Sequence, residues 1–214
     1  MIIKDNLPIK ISKGLVTDIK VSNDSPAFVK MMELAQEYQT KYSELAISEI
    51  PGVQEARTFF RAIGLDPTKR RPSSEALLRR ALNGKDLYRI NNIVDAGNYS
   101  SLKFLLPICL YDYDTIQGDI IVKIGDSKDR YLAHNNREMV FTDKFVLCDD
   151  LGAFGSPLTD SLRTAVTPET TKVLIIMFAP ESYDSALLDE HIRYLEDTIK
   201  QFNKSTIQQI SSIP

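Results

Sequence analysis

From Ser25 to Phe104 the apolar residues recur every three or four positions, and from Leu106 they come mostly in short runs. The first spacing is that of helices with one buried face, the second that of strands. Ser25-Pro26 opens the first helix, with proline where no backbone donor is lost, and its stripe reads Val29, Met32, Ala35, Tyr38 and Tyr42. A second helix is predicted from Gly52 to Ile63, with Val53, Ala56, Phe60 and Ile63 inward and Arg57 and Arg61 one turn apart on a flank. Gly64-Leu65-Asp66-Pro67 stops it. Ser73 or Ser74 caps a third helix striped by Leu77, Leu78, Ala81 and Leu82, and Asn83-Gly84 ends it. A fourth carries the polar run that starts at Ile90 to about Lys103.

Beyond it, Ile108 and Leu110, Ile120 to Val122, Phe145 to Leu147 and Val173 to Phe178 read as strands. A closing helix, Asp184 to Phe202, aligns Leu188, Ile192, Leu195, Ile199 and Phe202. At the other end, Ile2 to Val21 holds β-branched residues broken by Pro8 and Gly14, as short strands or a hairpin would. Helices, then strands, then a helix predict an α+β fold with helices packed against a sheet. No repeat or low-complexity linker divides the chain, so one domain over residues 1–214 is expected.

Apolar content of 43% and charged content of 26% are ordinary for a globular protein. No apolar run approaches the roughly 18 residues of a membrane span, and no basic-then-apolar leader opens the sequence. Two cysteines, Cys109 and Cys148, make no disulfide framework, and a reducing cytoplasm is the expected setting. With two histidines, His134 and His191, and no close Cys/His pair, neither a metal nor another cofactor is expected.

Charge changes the picture more. Arg57 to Arg89 holds nine Lys/Arg against three acids, while the remaining residues carry 17 basic and 26 acidic side chains. Positive charge gathered in one segment of an acidic chain makes a field for an anionic partner. Lys69, Arg70 and Arg71 fall between two helices and Arg79 and Arg80 one helix later, where such cations neutralise a phosphate backbone. The other reading is a solvated helix face balanced by Glu75 and other acids.

The polar run is more specific. On a helix, Asn91, Asp95 and Asn98 share one face. Asn and Asp compete with the backbone inside helices, so three together need a reason. One is a hydrogen-bond network that aims the next strand. The other is a pocket whose amides and carboxylate read an amino group, a hydroxyl or a ribose edge. Cys109 reads as a small buried hydrophobe without a neighbouring histidine, and a thiol enzyme built on it would need a depressed pKa. His134 falls in a loop or hairpin and reads as solvated, and His191 reads as surface. The stretch Gly155-Ser156-Pro157 with Asp160, Arg163 and Thr164 caps a helix or lines a pocket, and it lacks the Gly-x-Ser-x-Gly elbow of a serine hydrolase.

The run Ile90-Asn91-Asn92-Ile93-Val94-Asp95-Ala96-Gly97-Asn98-Tyr99, followed by Pro107-Ile108-Cys109-Leu110-Tyr111-Asp112-Tyr113-Asp114, resembles the tRNA-binding editing domain of the phenylalanyl-tRNA synthetase beta subunit. In that family an Ile-Asn-x-Val-Val-Asp-x-x-Asn-Tyr helix leads into Pro-Leu-His-x-Phe-Asp-x-Asp. Asn91, Asp95, Asn98, Tyr99, Pro107, Asp112 and Asp114 fall into place. The resemblance runs from about residue 73 to 180, flanked by an extension over residues 1–50 and the helix over 184–203.

The resemblance implies a three-layer α/β sandwich, helices on a mixed sheet, whose pocket hydrolyses wrongly charged aminoacyl-tRNA. Nothing looks like an aminoacylation domain, so a freestanding relative is expected. Asn98 and Asp95 would act on the ester, more by positioning than by acid–base power and with help from a ribose hydroxyl of the substrate. Asn91, Cys109, Ser156, Asp160, Arg163 and Thr164 would contact the aminoacyl moiety. Lys69, Arg70, Arg71, Arg79 and Arg80 would hold the tRNA acceptor end; neither DNA nor a membrane is expected as partner. The alternative is a tRNA- or amino-acid-binding module without catalysis.

Two positions depart from the pattern. The family's histidine is Cys109 here, and the glutamate that reads a tyrosine hydroxyl aligns with Ile176. An aliphatic side chain leaves that hydroxyl unpaired, at about 1–3 kcal/mol, so discrimination of tyrosine is not expected.

Overall fold

The computed structural model describes residues 1–134, 136–203 and 206–208. Its centre is β10 (Val173–Pro180), whose eight residues are all buried, as an uninterrupted apolar run requires when both faces are covered. β10 is flanked antiparallel by β2 (Ile9–Thr17) and β3 (Ile108–Asp112), and β11 (Thr206–Gln208) adds to the outer edge of β2. Among the described residues β3 forms the other edge of this sheet.

Alternation along β10 sends its side chains to two cores. Val173, Ile175, Met177 and Ala179 face α4 (Asn92–Phe104) and α5 (Ser185–Asn203), meeting Ile93, Ala96, Leu188, Ile192 and Leu195. Leu174, Ile176 and Phe178 face the other way, against a second sheet and α2 (Val53–Ala62). There Phe59 stacks on Phe178 with centroids 5.3 Å apart, and Phe145 meets both edge-on. A third core joins α1 (Pro26–Lys41) and α3 (Ser73–Leu82) to the back of α4 through Met31, Ala35, Leu78, Ala81 and Leu102.

The second sheet runs β1 (Ile2–Ile3), β4 (Ile121–Ile124), β7 (Phe145–Asp149), β8 (Gly152–Ser156), β9 (Thr159–Asp160). It is mixed, because β1 pairs parallel with β4 while the other pairs are antiparallel. A hairpin of β5 (Arg130–Leu132) and β6 (Glu138–Val140) attaches to its β9 end through a bridge between Ala133 and Ser161. Helices, sheet and sheet make the three layers of the expected α+β fold.

Of the two alternatives for residues 2–21, strands without a hairpin hold: β1 and β2 belong to different sheets, separated by Asp5 and Asn6 at φ 64° and 44°. Three local expectations are corrected. α1 buries Ala27, Met31, Ala35 and Tyr38, while Val29 is 57% exposed, so its stripe is rotated from the expected one. Neither Ser73 nor Ser74 caps α3; Pro72 stands at the cap, and buried Ser74 donates to the Leu105 carbonyl at 3.1 Å. His191 is half-buried, stacked on Phe104 at 3.8 Å with Nε2 3.1 Å from the Tyr183 hydroxyl, and burial lowers its pKa.

Candidate functional site

The polar run separates into two jobs. Asn91 precedes α4 as its N-cap, its Oδ1 accepting from the amides of Ile93 and Val94 at 3.1 and 2.9 Å. Asn92 ties the helix start to the segment before α1, accepting from Ser22 N–H and donating to the Lys20 carbonyl. Asp95 is fully buried; its Oδ1 accepts from Ile90 N–H at 3.0 Å, and burial raises its carboxyl above the ordinary value. These side chains pin the entry of α4. Asn98, one turn beyond Asp95, opens into a cavity.

That cavity, about 420 Å³, lies between α4 and the free edge of β3. Ile90, Val94 and Gly97 form one wall, Ile108 and Leu110 another, and Ala165 and Val166 a third. A Cβ at Gly97 would sit 2.6 Å from Leu110 Cδ1, so glycine is what lets helix and strand meet this closely. The polar groups in the lining are Asn98, His134 and Asp160.

The edge of β3 contributes backbone as well. Phe178 N–H reaches the Pro107 carbonyl and Tyr113 N–H the Lys172 carbonyl, which sets the parity of the β3–β10 ladder. Ile108, Leu110 and Asp112 therefore turn their peptide groups away from β10. Asp112 N–H is taken by the Thr164 carbonyl at 2.9 Å, and by the same parity Leu110 turns its N–H to that edge.

Asp160 is delivered from the second sheet, with Gly155 as its β8 partner. A Cβ at Gly155 would lie 2.3 Å from the Tyr111 hydroxyl, so glycine there leaves room for Tyr111. Burial pushes the Asp160 carboxyl up to about 7, against the opposing influence of the Tyr111 hydroxyl and Cys109 thiol. Its Oδ1 and the Tyr111 hydroxyl are both buried without a hydrogen-bond partner among the described residues.

The remaining expected substrate contacts do not line the cavity. Cys109 is buried between the sheets with Sγ 3.6 Å from the Ser156 carbonyl, and burial, reinforced by Asp160, pushes its thiol well up, opposite to what a nucleophile needs. Ser156 accepts from the Tyr131 hydroxyl at 3.1 Å. Arg163 clamps Asp149 through two bonds of 2.8 and 2.9 Å and also reaches the Thr115 carbonyl. Thr164 bonds Ser161 and the Phe154 carbonyl. Together they brace the loop that presents Asp160. Ile176, opposite Cys109 in the ladder, is fully buried in the same inter-sheet core and does not touch the cavity.

Sequence reasoning missed His134. It became a cavity residue because Ala133 pairs with Ser161 and Leu162 N–H reaches the Leu132 carbonyl, contacts spanning about thirty residues that no local pattern announces.

The basic segment also divides. Glu75, 2% exposed, accepts from Arg57 at 2.8 and 2.9 Å and from Arg79 at 2.9 Å, with Arg71 at 3.7 Å. Burial opposes this carboxylate, but Arg57 and Arg79 outweigh burial and hold its carboxyl below the ordinary value. Arg80 donates to the Asp86 carbonyl and lies over the Tyr88 ring, 4.3 Å from its centroid. Arg79 and Arg80 thus have partners inside the fold. Lys69, Arg70 and Arg71 join Arg137 in lining a second cleft of about 430 Å³, bordered by Ala133 and Thr159. Those two residues immediately precede His134 and Asp160, so cleft and cavity lie on either side of one ridge.

Among the described residues no three His, Cys, Asp or Glu side chains gather to hold a metal, and no helix is long and apolar enough to cross a membrane.

Comparison with known proteins agrees with the fold. The chain is 28% identical over 170 residues to a phenylalanine–tRNA ligase beta subunit of Psychrobacter arcticus, covering 76% of this chain and 20% of that protein. A second such subunit, from Cutibacterium acnes, is 26% identical over 188 residues, covering 80% and 22%. The chain therefore spans about a fifth of the length of these relatives. An N-terminal fragment of the phenylalanyl-tRNA synthetase beta subunit from Pyrococcus horikoshii superimposes with a TM-score of 0.51 at 14% identity, over 98% of this chain and 50% of that one. Residues 55–205, from α2 through α5, match the B3/4 domain, and the chain belongs to that family.

Proposed function

We propose that this protein binds the aminoacylated 3′ end of tRNA and hydrolyses the ester of wrongly charged species. The observation that carries this reading is the ridge between the two hollows. On one side Lys69, Arg70, Arg71 and Arg137 offer positive charge to phosphates; on the other an apolar cavity offers room for an amino-acid side chain. The relatives, named as phenylalanine–tRNA ligase beta subunits, support tRNA as the partner.

In this reading the ester crosses the ridge. The Asn98 amide and the Leu110 N–H orient the carbonyl and receive the negative charge that develops on its oxygen. His134 supplies an imidazole at the cavity wall, a side chain able to act as general base. It accepts the proton of the attacking water and returns it to the departing ribose oxygen, giving free amino acid and uncharged tRNA. Asp95, buried behind the wall, holds α4 in place. The second reading, a binding module without hydrolysis, draws on Cys109 and Ile176, where the synthetase pattern carries histidine and glutamate.

The test is deacylation of a panel of correctly and wrongly charged tRNAs, with Asn98→Ala alongside. Turnover of a mischarged species, reduced tenfold or more in the variant, is expected. Retention of tRNA at low salt with no turnover leaves the binding module.

A further inference from the structure

Among the described residues Asp160 is the only carboxylate lining the cavity, and the rest of the lining is chiefly aliphatic. Buried carboxylates are ordinarily paired with a cation or fully hydrogen-bonded. Asp160, partly exposed as a residue, has one buried oxygen and no ion pair among the described residues. The groups acting on it are the Tyr111 hydroxyl and the Cys109 thiol, both uncharged, and its Oδ1 has no hydrogen-bond partner among the described residues. The nearby cations are turned elsewhere: Arg163 clamps Asp149, and Lys69, Arg70 and Arg71 line the neighbouring cleft. Besides the imidazole of His134, the lining holds no side chain that could pair with it as a cation, so the fitting partner is a cation that arrives with the ligand, carried beside an apolar group of side-chain size.

An aminoacyl ester has that composition, with a protonated α-amino group next to its side chain and a carboxyl neutralised by the ester bond. The free amino acid released by hydrolysis carries a carboxylate, which Asp160 repels, so the product leaves. Resting on the reading above, we infer that Asp160 reads the protonated α-amino group of the bound aminoacyl residue. The substrates are esters of apolar amino acids with a free amine, and N-acylated esters, peptidyl esters among them, are refused.

The experiment compares binding of 3′-aminoacylamino-3′-deoxyadenosines, which carry an amide in place of the labile ester. Alanyl, valyl, leucyl and phenylalanyl forms are each measured with the amine free and N-acetylated. The expected result is at least tenfold tighter binding of the free-amine form of one or more of them. Asp160→Asn should bring that form down to the level of its N-acetyl counterpart. Equal binding of the two forms by the unaltered protein, or binding of neither, overturns the inference, and needs no variant. Charged tRNA and its N-acetylated form, assayed in parallel for turnover, separate the two claims. Turnover indifferent to acetylation keeps the hydrolase and removes the role of Asp160. Amine-dependent binding without turnover keeps Asp160 and removes the hydrolase.

Discussion

Asp160 and Glu196 carry carboxyls pushed up to about 7, chiefly by burial. Each binds its proton more tightly folded than unfolded. Their contribution to stability is therefore complete below the ordinary carboxylate range and is lost as pH rises towards and through 7. Asp160→Asn, which cannot ionise, should flatten part of this decline. Thermal unfolding of the ligand-free protein at pH 8 should show the variant melting about 2–8 °C above the parent, the shift that 1–2 kcal/mol gives at this chain length. At pH 4 the difference should vanish. A variant equally destabilised at both values would mean that the site needs the carboxylate for packing. This carboxylate thus stands in a position that costs stability near neutrality, as functional groups often do.

The start of α4 shows how an element was built to present a single side chain. Its cap, its tie to the segment before α1 and its buried carboxylate use Asn91, Asn92 and Asp95, leaving Asn98 for the cavity. Asn91→Ala should therefore cost about 1 kcal/mol in denaturant unfolding, the usual loss of an N-cap, and leave ligand binding to the folded protein nearly unchanged. A large loss of affinity at unaltered stability would return Asn91 to the substrate. The neighbouring strand follows the same economy. Where β3 pairs with β10 its peptides are spent on the ladder, and only alternate residues such as Leu110 have backbone to offer a ligand.

Across the molecule, charge falls into two classes that the linear sequence cannot separate. Arg57 and Arg79 neutralise Glu75 inside the fold, Lys69 and Arg70 line the open cleft, and Arg71 lines the cleft while reaching Glu75 at 3.7 Å. Arg70→Glu with Arg71→Glu should weaken tRNA binding by tenfold or more. It should also flatten the dependence of log affinity on log salt by about 0.7–0.9 for each phosphate that is no longer neutralised. Filter binding across a salt series measures both. Unchanged affinity and slope would mean that the cleft has another use.

The sequence alone determined the α+β class, α2, the limits of the closing helix and the strands β3, β4, β7 and β10, because periodicity reports which face of an element meets a core. In the chain β8 and β9 read as a loop, since their small and polar residues carry no apolar run. It also marked Asn98 and Asp160 as candidates, through a polar helix and a small-and-polar loop. Periodicity does not say which elements meet. The rotation of α1, the separation of β1 from β2 and the arrival of His134 beside Asp160 depend on pairings distant in sequence. For the same reason Asn91, Asp95, Ser156, Arg163 and Thr164 looked like Asn98 and Asp160 in the chain and parted from them only in space. A side chain's chemistry is written in the sequence; whether it is spent on the fold or left for a ligand is settled by what packs against it.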